Sequence, residues 1–347
     1  MTSGICLLNF GEPNDTSQAT IVDFLARIFY TNAVLEDADT DEARWKRSYE
    51  LAERRAPGLI DEYEAIGGSP HNPQCEEQAR LLKAELTDRG FDVETFVGMQ
   101  YTPPFIADMV EDARAANVDR LIAIPVYPHC GPSTTVAALA QLRRALEKSD
   151  WDVPVQEITG WHKHPGYSRL RVDNIRRFIA EQGLALDDPQ TAFVFSAHGT
   201  PMHYVNNGSR YADYVEEYCN AVGKLLGLET FQLGFQNHAN RNIEWTQPEI
   251  DDVVANLASD RVIVEPVSFM HEQSETLSEL DIELREVAED HDIGFYRVPI
   301  PHDDPAFAQV LADLAEPFVV GIEPAYYQFR QCQCRPEPST MCLNAKR

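Results

Sequence analysis

Two segments bring together residue types that exchange protons or hold cations. The first is Ser196-Ala197-His198-Gly199-Thr200-Pro201. The apolar run TAFVF leads into it, and Gly199 and Pro201 turn the chain directly after His198. An imidazole is thereby set at the carboxyl end of a strand, where open α/β sheets build their ligand crevice. Histidine titrates near neutral pH and is the commonest metal ligand. The alternative is a histidine that only hydrogen-bonds its own loop. The second segment is HEQSETLSELDIE, from His271 to Glu283, which follows the apolar run VIVEPVSF. On a helix the spacing of Glu272, Glu275, Glu279 and Glu283 puts four carboxylates on one face, where each like-charged pair costs about 0.2–0.5 kcal/mol. A solvated face of an acidic protein would explain such a row. Its start at a strand end, as at His198, points instead to a crevice, and a helix N-terminus stabilises its first carboxylates. A row of this kind carries protons or draws in a divalent cation. HEQSE is not HExxH, so the zinc-protease motif is absent.

A third group is made of thiols. Cys332, Cys334 and Cys342 lie in a polar tail, QFRQCQCRPEPSTMCLNAKR, that cannot bury a core of its own. Neither the C-x-x-C pairs of a zinc ribbon nor those of thioredoxin occur. A four-thiolate site would need a fourth ligand from Cys6, Cys75, Cys130 or Cys219. Cys130, in the strand-end loop YPHCGPS, reads as the most accessible of these. Thiolates suit zinc or an iron–sulfur cluster; the alternative is a tail of free thiols. GxGxxG after the first strand and GxxxxGK[ST] are both missing, which argues against a nicotinamide dehydrogenase and a P-loop enzyme.

The elements that must position these groups are legible as alternating runs. Strands are expected at residues 4–10, 93–98, 120–126, 191–196, 231–235 and 262–267, apolar enough to be buried on both faces as in a parallel sheet. Helices are expected at 74–89, 135–147 and 211–226, the first ending before Gly90 as a C-cap. The alternation predicts an α/β fold of βαβ units. An internal repeat pairs VGMQY at Val97 with LGFQN at Leu233, Pro125 with Pro266, and LLNFGEP at Leu7 with FVFSAHGTP at Phe193. Two similar halves are therefore expected, residues 1–148 and 149–327, followed by a Cys-rich tail, 328–347. The chain's 347 residues suit two such domains. A formal net charge of −27 argues against nucleic acid and anionic membranes as partners. No apolar run approaches the ~20 residues of a membrane span. The start MTSGICLLNFGEP has no basic n-region, and an odd seven Cys do not read as a secreted disulfide framework. A cytoplasmic protein is expected.

These residues together resemble the ferrochelatases, the lyases that insert ferrous iron into a porphyrin in haem biosynthesis. The resemblance runs from about Gly4 to Phe318. It rests on LLNFGEP, YEAIGGSP from Tyr63, YPHCGPSTT, SAHGTP and, above all, PVSFMHEQSETLSELDIELREVAEDHDI. It implies two flavodoxin-like, Rossmann-type halves with the porphyrin in the cleft between them. It implies that His198 is the active-site histidine and Glu275 its partner carboxylate, with Glu272, Glu279 and Glu283 on an acidic path for the metal. Carboxylate and imidazole would accept the two pyrrole protons. Protoporphyrin IX and coproporphyrin III both stay open as substrate, and the oligomeric state stays open as well.

The chain departs from the family pattern at several positions. FGGP reads FGEP, with Glu12 for a glycine. Gln273 replaces a histidine two residues before Glu275, with His271 close enough to stand in. Gln-Ser-Arg reads Gln236-Asn237-His238, and YPQYS reads Tyr127 to Gly131. The stretch Leu35–Glu42 is acidic where membrane-touching members carry an apolar lip, so no stable membrane insertion is expected. Some family members hold a [2Fe-2S] cluster on a C-terminal extension. By that resemblance Cys332, Cys334 and Cys342 would be three ligands and Cys130 the fourth. Two rivals remain at this stage: a chelatase of the cobalt–sirohydrochlorin type, and a porphyrin or haem carrier without turnover.

Overall fold

The computed structural model describes residues 2–32, 40–238 and 243–321, with the backbone of 340–342. Its strands are β1 (Ser3–Asn9), β2 (Val93–Met99), β3 (Arg120–Pro125), β4 (Val155–Thr159), β5 (Thr191–His198), β6 (Gln232–Gln236), β7 (Arg261–Pro266), β8 (Gly294–Arg297) and β9 (Thr340–Cys342). All pairings are parallel, in the orders β2-β1-β3-β4-β9 and β6-β5-β7-β8. The first four strands of each sheet thus share one topology. Leu8 pairs with Gly98 and Pro125, and Ser196 pairs with Gly234 and Pro266. The register bears out the repeat residue by residue, and it makes Phe10 the counterpart of His198 and Glu12 that of Thr200. β4 lies beyond residue 148 yet pairs with β3, so the sheets divide after Thr159 rather than at 148/149.

The helices are α1 (Gln18–Thr31), α2 (Asp41–Ala65), α3 (His71–Asp88), α4 (Ile106–Ala115), α5 (Ala137–Ser149), α6 (Pro165–Gln182), α7 (Met202–Asn206), α8 (Tyr211–Leu226), α9 (Ile250–Ala255), α10 (Ser274–Leu277), α11 (Arg285–Asp290) and α12 (Pro305–Val319). Side chains alternate across β1: Ile5 and Leu7 face a core shared by both sheets, while Cys6 and Leu8 face α4 and α5. Between the sheets, Leu82 of α3, Ile175 of α6, Tyr218 of α8 and Leu311 of α12 join Ile122 and Phe195 in that single apolar cluster. One core therefore holds the two halves together, and the carboxyl ends of both sheets open onto the same side. β9 adds Thr340–Cys342 to the edge of the first sheet, opposite Glu157–Thr159. Cys332, Cys334 and most of Leu35–Glu42 lie outside the described residues.

Candidate active site

The loops after β1, β3, β5, β6 and β7 enclose a cavity of about 550 Å³, within the range of small-molecule sites. Phe24, Leu25, Ile28 and Leu59 of α1 and α2 form an apolar wall; His198, Glu275, Glu279 and Glu283 lie on the side of the second sheet. The cavity pairs an apolar face with a cluster of proton acceptors.

His198 ends β5. Its Nδ1 lies 2.6 Å from the Gly199 carbonyl, which can only accept, so Nδ1 carries the proton and Nε2 keeps its lone pair. Ser268 Oγ accepts from the His198 backbone N–H at 3.0 Å, and Tyr211 Oη donates to the His198 carbonyl at 2.9 Å. Gly199 is required by close approach: its N–H donates to the Gln236 carbonyl at 2.7 Å, and a Cβ there would run into the Asn237 side chain.

The acidic segment folds differently from one α-helix. Gln273 is extended and caps α10, and the chain from Glu279 to Leu284 is a π-helix in which Glu283 N–H reaches back five residues to Ser278 O at 3.0 Å. A turn wider than ~3.6 residues keeps side chains four apart closer to one line, and π-turns recur at functional sites. Glu275, Glu279 and Glu283 all line the cavity. Glu272 does not. It precedes the helix, so it lacks the helical phase, and Arg297 of β8 captures it at 2.8 and 3.0 Å. Thr276 Oγ1 and the Ile300 N–H also donate to it. The expected set of His198, Glu272, Glu275 and Glu279 is thus brought together without Glu272.

Gln236 connects the two halves of the chemistry. Its Oε1 accepts from Ser196 Oγ at 2.8 Å, and its Nε2 donates to the Glu275 carbonyl at 2.9 Å and to Glu279 Oε2 at 2.8 Å. Gln273 donates to Glu275 Oε2 at 2.6 Å. His271 borders the cavity, and its Nδ1 lies 3.7 Å from Cys75 Sγ. Burial, reinforced by the charge of Glu275, lifts the Glu279 carboxyl well above the usual range. Partial desolvation also raises Glu283, which is exposed at the outer end of the row.

Glu12 is the residue whose role the sequence hid. It lies buried beside the cavity. It accepts from Tyr63 Oη at 2.8 Å, from Ser69 Oγ, and from the Ser274 N–H at 3.2 Å. Ser274 Oγ lies between carboxyl groups, 2.6 Å from Glu12 Oε1 and 3.1 Å from Glu275 Oε2. Asn72 brackets the Glu12 backbone at both N–H and C=O. Burial, then the charge of Glu275, raises the Glu12 carboxyl from 4.5 to about 7, against the three hydroxyl hydrogen bonds. The only signal was an acid where the family pattern has glycine.

A raised carboxyl makes the folded state bind more protons than the unfolded chain. Its stabilisation is complete below about pH 4.5 and lost as pH rises through about 7. Glu12→Gln removes that dependence. Between pH ~5 and ~8 the stability of the native protein is expected to fall relative to the variant by on the order of 3 kcal/mol. Urea unfolding of both proteins at the two pH values measures this, and a constant difference between them would contradict it.

Cys130 is the most accessible of the four body cysteines, as the sequence suggested, but only by a small margin, at 6% exposure against 0% for the others. All four are buried, Cys130 because the loop after β3 packs against the second half, with the His129 ring edge-on to Tyr211. The chain from Thr159 still approaches it: the His162 N–H donates to the Pro128 carbonyl at 3.2 Å.

The ferrochelatase family model matches residues 2–317. The ferrochelatase of Synechococcus sp. (strain RCC307) is 33% identical over 330 residues, covering 92% of this chain and 83% of that protein. That of Prochlorococcus marinus (strain MIT 9211) is 31% identical over 334 residues, with 92% and 83% covered. Among solved structures, the sirohydrochlorin chelatase SirB from Bacillus subtilis subspecies spizizenii in complex with cobalt superposes with a TM-score of 0.50 at 9% identity, over 91% of this chain and 97% of that one. SirB from Bacillus subtilis with Fe3+ gives a TM-score of 0.53 at 9% identity, over 93% and 99%. At such identity the likeness extends to the fold alone.

Proposed function

The chain belongs to the ferrochelatase family, lyases that insert iron into porphyrin in haem biosynthesis, and we propose that it does so with His198 and Glu275 as the groups that receive the pyrrole protons. As ferrous iron enters, two pyrrole N–H bonds break, two protons leave and no electron is transferred. One arrangement carries the assignment: an imidazole with a bare Nε2 and a carboxylate oriented by Gln273 border the same cavity. Glu279 and Glu283 continue from Glu275 and offer the metal an anionic approach and the protons an exit. The apolar wall of α1 and α2 suits the flat face of the macrocycle. The net charge of −27 supports an enzyme that does not insert stably into anionic membranes, and an odd seven cysteines suit a cytoplasmic one.

Porphyrin fluorescence tests the activity. Ferrous iron or zinc added to the protein with protoporphyrin IX or coproporphyrin III is expected to quench one of the two faster, and that porphyrin is the substrate. Undiminished fluorescence with both would leave a carrier instead.

The proposal extends to a [2Fe-2S] group on Cys130, Cys332, Cys334 and Cys342. Four thiolates are a fitting donor set. Supporting it, the backbone of Cys342 pairs with Thr159 at the edge of the first sheet, three residues before the segment that touches the Cys130 loop. Such a group would supply a structural or regulatory tie for the tail, since the reaction needs no redox step. Cys334→Ser is expected to bleach the visible absorption of anaerobically purified protein. Colourless native protein without iron or sulfide would remove this part of the reading.

A further inference from the structure

His71 and Cys75 stand one turn apart on the buried face of α3, and His271 reaches them from the loop after β7. Cys75 Sγ lies 3.7 Å from His271 Nδ1, 3.6 Å from His71 Nδ1 and 3.9 Å from His71 Nε2. One donor atom from each residue falls within 4.8 Å of the others. All three side chains are buried, and His271 Nε2 has no hydrogen-bond partner among the described residues. A tetrahedral ion with metal–sulfur and metal–nitrogen bonds of about 2.3 and 2.0–2.1 Å spaces sulfur and nitrogen by roughly 3.6 Å. The sulfur–nitrogen separations to His271 Nδ1, 3.7 Å, and to His71 Nε2, 3.9 Å, lie within about 0.3 Å of that edge length.

The surroundings fit a ligand role as well. His71 Nδ1 lies 3.0 Å from Asn72 Oδ1, an acceptor, which assigns the proton to Nδ1 and leaves Nε2 as the donor to a cation. His71 and His271 also border the cavity, where water can fill a fourth position.

We propose that His71, Cys75 and His271 form a second metal site, distinct from His198 and Glu275, that binds one divalent transition ion of the zinc or ferrous type where the two halves meet. Imidazole and thiolate select such ions over magnesium or calcium. On binding, the Cys75 S–H bond breaks, a metal–sulfur bond forms and the proton passes to water in the cavity; nothing is oxidised. The site shares no ligand with the proposed insertion chemistry, so it stands or falls separately.

Cobalt(II) is the probe, added anaerobically to full-length, metal-free, thiol-reduced protein. Its thiolate complexes give a near-ultraviolet charge-transfer band that a histidine–carboxylate site cannot give. The tail thiols are first silenced by Cys332→Ser, Cys334→Ser and Cys342→Ser; in that background the band is expected to remain, to persist with His198→Ala or Cys130→Ser, and to vanish with Cys75→Ser. His271→Ala keeps the thiol and should weaken cobalt binding at least about tenfold, with far-ultraviolet circular dichroism confirming the fold. No band in the protein without tail thiols, or a band there that survives Cys75→Ser, overturns the proposal.

Discussion

His198→Ala is expected to slow metal insertion by at least ~100-fold, the loss typical of a positioned acid–base group. The imidazole has one ring nitrogen open to the proposed transfer. Its Nδ1 proton is committed to the Gly199 carbonyl at 2.6 Å, so only Nε2 can take up a proton. Alanine leaves the backbone anchors at Ser268 and Tyr211 in place and removes only the acceptor. Glu275→Gln should have an effect of similar size, since the amide keeps the volume but cannot become a neutral acid. The double variant should be less than multiplicative if both groups serve one step. Glu272→Gln is the contrast: its side chain is spent on Arg297 and Thr276, so stability rather than rate should respond. Initial rates of fluorescence loss under ferrous iron or zinc measure all four. A double variant as fast as the native protein would refute the roles.

What the sequence revealed and concealed follows from burial. β1, β3, β5 and β7 are central strands covered on both faces, so each carries an apolar run of at least three residues, and the sequence reading places all four within a few residues. It misses β4 and β8, because VQEIT and GFYR are short, polar runs nearer the sheet edges. That omission had two consequences. It put the boundary between halves too early, and it hid Arg297, the β8 residue that withdraws Glu272 from the acidic row. The spacing of Glu275, Glu279 and Glu283 was informative for a reason other than α-helical phase, since a π-turn carries the last two. Glu12 was visible only as an oddity. Its meaning needed Tyr63, Ser69 and Ser274, which converge on it from remote parts of the chain.

The same convergence makes the second-largest effect a matter of scaffold. Arg171 of α6 and Glu265 of β7 are both almost wholly buried, with Nε to Oε1 at 2.7 Å. The guanidinium also holds the carbonyl of Pro266 and, at 3.4 Å, that of Phe269. Those carbonyls lie on the turn that leaves β7 for His271, Gln273 and Glu275. Burial raises the Glu265 carboxyl to about 7 even with Arg171 opposing the shift, so the acid has little to fall back on once the cation is gone. Arg171→Met is therefore expected to cost about 3–5 kcal/mol of stability, the usual result of stranding one partner of a buried pair. Replacing both partners, Arg171→Met with Glu265→Leu, should recover most of that loss, because two apolar side chains need no partner. The turn would still lack its donors to Pro266 and Phe269, so the double variant should be stable yet slow. Urea midpoints and insertion rates separate the two effects. If the single variant lost less than about 1 kcal/mol, Arg171 would be an ordinary helix residue; if the double variant regained full rate, the guanidinium would be holding up the fold without aiming the loop that carries Glu275.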